Sequence, residues 1–584
     1  MPRVFQLECA PLSGRTFLGE IDVMNGTWLL IGSLAYFAIA YLTYGRFISK
    51  VFGVDKGKPC PSHTQADGID YVPAHPAVLF GHHFASIAGA GPIVGPILAA
   101  LTGWLPATLW ILLGCVFIGA MHDFSAMFLS VRNKGRSIAY AIEKEIGYLG
   151  RQVFLIFCFF ALILVTAVFT LNVADGFLAN PAVATSSLLF IFMAPMFGIA
   201  TNKKVLTLTE ATLVFVPLLF FCVWLGTVIP FDLAAVVGKA STARSIWICG
   251  LFYYAFCASI IPVWVLLQPR DYLNSFLLYA MMILGLIGVI AAKPAIAMPA
   301  VNVPNGAFPG IFPLLFVTIA CGACSGFHSL VASGTSSKQI DNEKDMQPVA
   351  YGGMLVEGVL AVLSIISVAY LDMNGIKELL TGASKVPAPI AFARGLAHFC
   401  EAAGISYNIG YNFISLAISA FMLTSLDTAM RLARFVWQEL TMPKDNSNEQ
   451  QGNAVAKAEP AKLSPFRAFI GNRWTATVVV LIAGAYLALS GEGNDMWPVF
   501  GASNQLLAAL TLLSVTLWLM RKKRPALFAM LPMFFMLVIS IWALVCLIIQ
   551  KWGNATLVTI SIMLIILALF LFVLAIFKLS AKKN

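Results

Sequence analysis

The sequence predicts an all-α polytopic membrane protein of about fifteen transmembrane helices, and three observations carry that expectation. First, 59% of the 584 residues are apolar and only 11% are charged, against about 25% charged in soluble globular proteins; the mean hydropathy is +0.86. Second, the apolar residues fall into runs of roughly 20, the length that crosses the hydrocarbon core as a helix. Third, the basic residues, 37 against 27 acidic, lie between those runs rather than in one patch, so the net charge of +10 does not point to nucleic acid. No phosphate-binding glycine loop, nucleotide motif or catalytic triad is present, which argues against an enzyme or a primary pump and gives no reason to expect a cofactor.

Taken in order, the candidate spans are 27–44, 77–101, 104–130, 152–172, 185–201, 205–230, 246–268, 273–292, 309–331, 348–371, 407–428, 474–490, 497–519, 526–549 and 555–578. The polar stretch 443–465 has linker composition. With the N-terminus outside and the C-terminus in the cytoplasm, 28 of the 37 basic residues fall on the inside and 9 on the outside, the bias that sets orientation in a bacterial inner membrane. Residues 1–26 read as an extracytoplasmic extension without a clear cleavage site. Residues 27–76 read as a first helix with its cytoplasmic loop, 429–473 as a cytoplasmic helix and linker, and 474–584 as four closing helices. The eleven cysteines are mostly inside spans, which argues against a disulfide framework.

The second span crowds Gly89, Gly91, Pro92, Gly95 and Pro96 together. Glycine weakens a helix and proline removes a backbone donor, so this helix should open near Ser86–Pro92. Freed backbone groups are tolerated at membrane depth only against protein, water or a ligand. The plainer alternative is a close contact of small residues between helices. Five spans later Pro262 falls inside the seventh span, which runs in the opposite sense. Two five-helix units, 77–230 and 246–428, each opened by a broken helix, would give a leucine-transporter-like 5+5 inverted-repeat core. Half-helix N-termini there suit a substrate carboxylate. On this frame the ninth span would supply Ser325 and Ser329 to a coupling-ion site facing Ser86–Gly91.

Ionisable residues inside spans are functional candidates by default: His82, His83, His122, Asp123, Glu210, His328, Glu357 and Asp427. Histidine changes charge near neutral pH, so His82, His83 and His328 could carry a proton, although a neutral buried histidine bonded to a carbonyl is as common. Asp123 and Asp427 could relay protons or serve structure, Asp427 by pairing with Arg431 or Arg434. Cys321, Cys324 and His328 share a helical face, a minor metal option, and the Cys60–His63 pair is weaker still.

The segments FGHHFASIAGAGPIVGPILAA (80–100), PVWVLLQPRDYLNSFLL (262–278), CGACSGFHSLVASGTSSKQ (321–339), LTSLDTAMRLARFVWQEL (423–440) and WPVFGASNQLLAAL (497–510) closely resemble the carbon starvation protein A family. The resemblance runs from about residue 27 to the last spans; Cys324 departs from it, and residues 1–26 match nothing in it. It implies a fold of the amino acid–polyamine–organocation superfamily and uptake of small nutrients when carbon is scarce, pyruvate by proton symport in some members and peptides in others. By motif it marks His82, His83, Ser86, Gly89 and Gly91, then Gly326, Phe327 and His328, then Thr424, Ser425 and Asp427, and finally Asn504 and Gln505, whose role it leaves open.

The resulting expectation is a secondary importer of a small carboxylate, pyruvate or a short peptide, probed by His82, His83, Ser86, Gly89, Gly91, Pro262 and His328 at the substrate. His122, Asp123, Ser325, Ser329, Thr424, Ser425 and Asp427 are the candidates for proton or ion coupling. The expected partners are that small molecule, a proton and lipid, with no nucleic acid. A sodium-coupled or uncoupled facilitator and a nutrient-binding sensor are the alternatives.

Overall fold

The computed structural model describes residues 25–67, 71–262, 264–303, 311–382, 386–442, 464–490 and 493–581. The extension before residue 25 and the linker 443–463 lie outside them. The described residues are helical apart from turns and one bridge between Asn25 and Ala295. Twelve helices are long and apolar enough to cross a membrane, thirteen if one bent pair counts as a span. The expected fifteen is not reached on that measure, because Arg473–Leu489 is only 17 residues long and the ninth span is split into short pieces.

In chain order the elements that position the site are α1 (Gly26–Phe52) and the bent pair α2 (Pro76–Ile87) and α3 (Gly91–Thr102). Then come α4 (Trp104–Arg132), α5 (Tyr148–Ala179), α6 (Pro181–Asn202), α7 (Leu208–Val228), α8 (Ala240–Ile260) and α9 (Leu267–Ala292). The second half holds α10 (Leu314–Thr318), α11 (Gly326–Gly334), α12 (Glu343–Ala369), α13 (Ala388–Ala402), α14 (Tyr407–Thr441), α15 (Arg473–Leu489) and α16 (Gly493–Arg521). Two closing helices, α17 (Leu527–Gln550) and α18 (Ala555–Ala581), follow.

Local sequence explains the starts. Pro76 and Pro181 occupy first turns, where no amide is needed. Asn180 and Asn472 accept amides of α6 and α15, and Thr207 with Glu210 forms a reciprocal capping box at α7. Glu210 is thereby accounted for as a cap.

The chain opens twice. α2 and α3 meet at a 44° bend where Ala88, Gly89 and Ala90 leave the helix, as the glycine and proline pattern predicts. The second opening is not at Pro262. α8 ends at Ile260, and Pro262 lies in the turn before α9, where Arg431 donates to the carbonyls of Ala258 (2.8 Å) and Ile261 (2.5 Å) and Arg434 to Ser259 (2.6 Å). These bonds satisfy the free end of α8, so Pro262 stops a helix instead of breaking one. The second break is Ile319–Ser325, between α10 and α11.

Packing follows this placement. α5 lies along α14, α2 against α9, α10 and α11 against α16, and α8 against α15. The helix after each opening, α4 and then α12, contains a π-helical segment, Cys115–Gly119 and Gln347–Gly352, a feature frequent at functional sites. α6 and α7 pack on each other as a hairpin, and α13, an apolar-faced helix the sequence reading missed, packs across α9, α12 and α14.

Candidate functional site

The two openings cross in direct contact. A side chain on Gly91 would run into Cys321, and one on Gly326 into the Asn504 backbone, so glycine at both positions lets the segments approach. Ser425 of α14 donates to the Ser86 carbonyl (3.3 Å), satisfying one group that the first opening frees. Asn504 and Gln505, adjacent on α16, hold both ends of the second opening. Asn504 Oδ1 accepts from the Phe327 amide (2.8 Å) and Nδ2 donates to Ser325 Oγ (2.9 Å), while Gln505 donates to the Phe316 carbonyl. The family motif of unclear role is therefore the clasp of the second broken helix. A narrow cleft bordered by Leu162, Val165, Phe327, Asn504 and Leu507 adjoins it.

Two buried polar clusters flank the crossing. In the first, His82 Nδ1 lies 2.9 Å from Asp271 Oδ2, and Asp271 Oδ1 accepts from Arg270 (2.9 Å). Arg270 also pairs with Asp427, and Tyr254 donates to Asp427 (2.7 Å). This cluster joins α2, α8, α9 and α14. In the second, Asp123 takes His122 Nδ1 and His328 Nδ1 on its two oxygens, each at 2.8 Å. His328 Nε2 stands 3.4 Å from Glu357, joining α4, α11 and α12. The histidine, carboxylate and arginine side chains of both clusters are at most 3% exposed, while Tyr254 is partly buried.

Several buried polar atoms here have no hydrogen-bond partner among the described residues: Nε2 of His82, His83, His122 and His328, Ser86 Oγ, both Glu357 oxygens, Asp427 Oδ1 and Gln505 Oε1. Most buried polar groups are satisfied, so these atoms are free to exchange protons or to bind a polar ligand.

Most of the sequence candidates converge here. His82, Ser86, Gly89, Gly91, Asp123, His122, Ser325, His328, Ser425, Asp427, Asn504 and Gln505 lie as described, with Gly89 packed on Ser425. His83 bonds Ser336 (2.9 Å), and Thr424 receives Asn274 (3.0 Å). Three expectations change. Ser325 and Ser329 face Asn504 and Thr511 of α16 instead of the first opening, whose hydroxyl partner is Ser425. Asp427 pairs with Arg270, not with Arg431 or Arg434, which cap α8. Cys321, Cys324 and His328 do not form a metal set: Cys321 contacts Ser325 and Asn504, His328 is held by Asp123, and no group of three or more such ligands is placed for a metal among the described residues. His63 likewise turns from Cys60 to Asp341 (2.8 Å).

The reading missed Arg270, Asp271 and Tyr254. The span boundaries put Arg270 and Asp271 in a loop, yet both are inside α9 and buried, at 2% and 0% exposure. The signal was present: a charged pair directly after QP in an apolar stretch is costly unless it is used.

Fold and site together define a multi-pass helical membrane protein organised around two crossing broken helices and two buried ionisable clusters. The family described as Carbon starvation protein CstA matches residues 25–388 and 374–543, and the chain belongs to that family. The chain is 32% identical to the peptide transporter CstA of Escherichia coli (strain K12), over 93% of this chain and 83% of that one. It is 31% identical to the pyruvate/proton symporter BtsT of the same strain, over 89% and 81%. Among solved structures, a manganese transporter of Eremococcus coleocola bound to an aromatic bis-isothiourea compound aligns with TM-score 0.48 and 10% identity, over 88% of this chain and 98% of that one.

Proposed function

We propose that this protein is a secondary transporter that imports a small carboxylate nutrient, pyruvate or a short peptide, by proton symport across the bacterial inner membrane when carbon is scarce. The N-terminus would lie outside and the C-terminus in the cytoplasm. The observation that carries the reading is the crossing of two broken helices beside unpartnered buried histidine and carboxyl atoms. The names of the relatives supply the substrate classes and the proton. The helix pairings suggest two repeats, 76–292 and 314–521, with the α6–α7 hairpin inserted in the first, as a leucine-transporter-like core requires.

The roles follow from position. The substrate carboxylate docks at the start of α11, where amides and helix dipole favour negative charge; the Phe327 amide is already taken by Asn504, so Asn504 must give way. Two residues into α11, His328 links Asp123 to Glu357 and holds the coupling proton beside that carboxylate. Charge carried together with its counter-charge crosses a low-dielectric path at lower cost than either alone. No group in the Asp123 cluster carries a permanent charge, so a proton can pass along it without breaking a fixed ion pair.

The test is uptake of labelled pyruvate and of di- and tripeptides into liposomes holding the purified protein, with and without an inward proton gradient. Gradient-driven accumulation of either is expected. Equilibration indifferent to the gradient would make the protein a facilitator, and binding without uptake a sensor.

A further inference from the structure

The Arg270 cluster carries a charge balance that the Asp123 cluster does not. Arg270 is a permanent cation and sits with two aspartates, Asp271 and Asp427, all at most 2% exposed. With His82 neutral, the buried group would hold one uncompensated negative charge, which a low-dielectric interior strongly disfavours. One proton removes it. With the proton on His82, the four groups alternate in sign along one chain, His82 to Asp271 (2.9 Å), Asp271 to Arg270 (2.9 Å), and Arg270 to Asp427. Tyr254 donates to Asp427 from outside that chain (2.7 Å). His82 is the one member on the half-helix α2; the others are on α8, α9 and α14.

We infer that His82, Asp271, Arg270 and Asp427 form a second proton-binding site, distinct from the coupling site at Asp123, and that its proton latches the half-helix α2 onto α9 and α14. Loss of the proton leaves Asp271 shared between Arg270 and a neutral imidazole, weakens the attachment of α2, and lets that half-helix swing away. The inference rests on the transporter reading only for the consequence: α2 lies on the side that the basic-residue bias assigns to the cytoplasm, so release of the latch opens the inward path. The second attachment of the same end, Ser425 to the Ser86 carbonyl, is uncharged and long at 3.3 Å, so it does not hold α2 alone.

Other titratable and charged groups on the elements packed against α2 are Tyr272 and Tyr279 on α9, His328 on α11, Glu343, Lys344, Asp345, Tyr351 and Glu357 on α12, Tyr407, Tyr411, Arg431, Arg434 and Glu439 on α14, and Lys338 in the turn after α11. His83 and His75 lie on or beside α2 itself. His83 is bonded to Ser336 and His328 to Asp123, and Tyr279 stacks on Phe84. Asp271 is the group among them that bonds the His82 ring.

The test is hydrogen–deuterium exchange of residues 76–87 in the full-length protein in lipid nanodiscs, corrected for the intrinsic rate, over roughly pH 5 to 8. Opening that releases one proton becomes more favourable with rising pH by up to about tenfold per unit over the range in which the latched state holds the proton and the open state does not, so exchange should rise with pH in the unmodified protein. His82→Gln, which keeps a donor toward Asp271 but cannot be charged, should exchange fast at every pH, and Asp271→Asn should lose the slope as well. Asp123→Asn should keep it. Exchange of 76–87 that does not vary with pH overturns the proposal, as does a slope that survives His82→Gln or disappears in Asp123→Asn. No substrate is present, so a correct slope together with failed pyruvate and peptide uptake would support the latch while removing the substrate reading.

Discussion

Two buried clusters adjoin the broken helices, one through His82 on α2 and one through His328 on α11, and they differ in one ingredient. The Arg270 cluster contains a cation that cannot be discharged, whereas the Asp123 cluster consists wholly of groups that can gain or lose a proton. Both are almost fully removed from solvent, so both must be close to neutral overall. The Arg270 cluster meets that demand with one fixed cation and a proton on His82, and is suited to holding helices together. The Asp123 cluster meets it by placing protons, with Glu357 in no hydrogen bond and 3.4 Å from the His328 ring, and is suited to passing them on. A fixed charge thus separates a fastening from a relay.

The largest effect expected from breaking this comparison is removal of the fixed charge. Arg270→Met leaves Asp271 and Asp427 buried without their cation and should cost about 3–5 kcal/mol, read as a large fall in unfolding temperature; a loss within the error of that measurement would show that the pairs do not fasten the helices. The clasp comes next. Asn504→Ala removes the acceptor of the Phe327 amide and the partner of Ser325, a loss of about 1–2 kcal/mol in the same unfolding assay, and Asn504→Asp should recover most of it through the amide. The smallest effect on stability belongs to the relay. Glu357→Gln replaces a carboxyl that makes no hydrogen bond with a neutral isostere, so unfolding should shift by less than about 1 kcal/mol, while gradient-driven uptake is lost; an equal loss of stability and transport would erase the distinction between the clusters.

A control lies outside both clusters and outside the spans. Burial pushes the Cys60 thiol up to about 11, and the carboxylates of Glu343, Asp341 and Asp345 add to the shift. The thiolate is the reactive form, so maleimide should label Cys60 slowly at neutral pH and faster as the pH is raised, with no dependence on substrate.

How much of this could be read from the sequence depended on whether the signal was local. The first opening was legible because Gly89, Gly91 and Pro92 weaken a helix wherever they occur together. Asp123, His328, Glu357 and Asp427 were legible as costly groups in apolar runs. The second opening was not. Its residues, IACGACS, contain no proline and suit close helix packing equally well, whereas Pro262 offered a stronger but misleading signal at what is a helix end. Pairing was beyond reach for the same reason: Asn504 meets Phe327 across 177 residues and Asp271 meets His82 across 189, and no local pattern records either. Misplacing the break also turned Ser325 and Ser329 toward the wrong partner.

The central claim is that substrate and proton cross together through the Asp123 cluster. It is tested most directly by adding substrate to proteoliposomes with no imposed gradient and following the internal pH with a trapped dye. The account predicts that pyruvate or the transported peptide acidifies the lumen with the unmodified protein, and that Asp123→Asn exchanges labelled for unlabelled substrate with no change in pH. Acidification that persists in Asp123→Asn, or substrate entry without acidification in the unmodified protein, would contradict it.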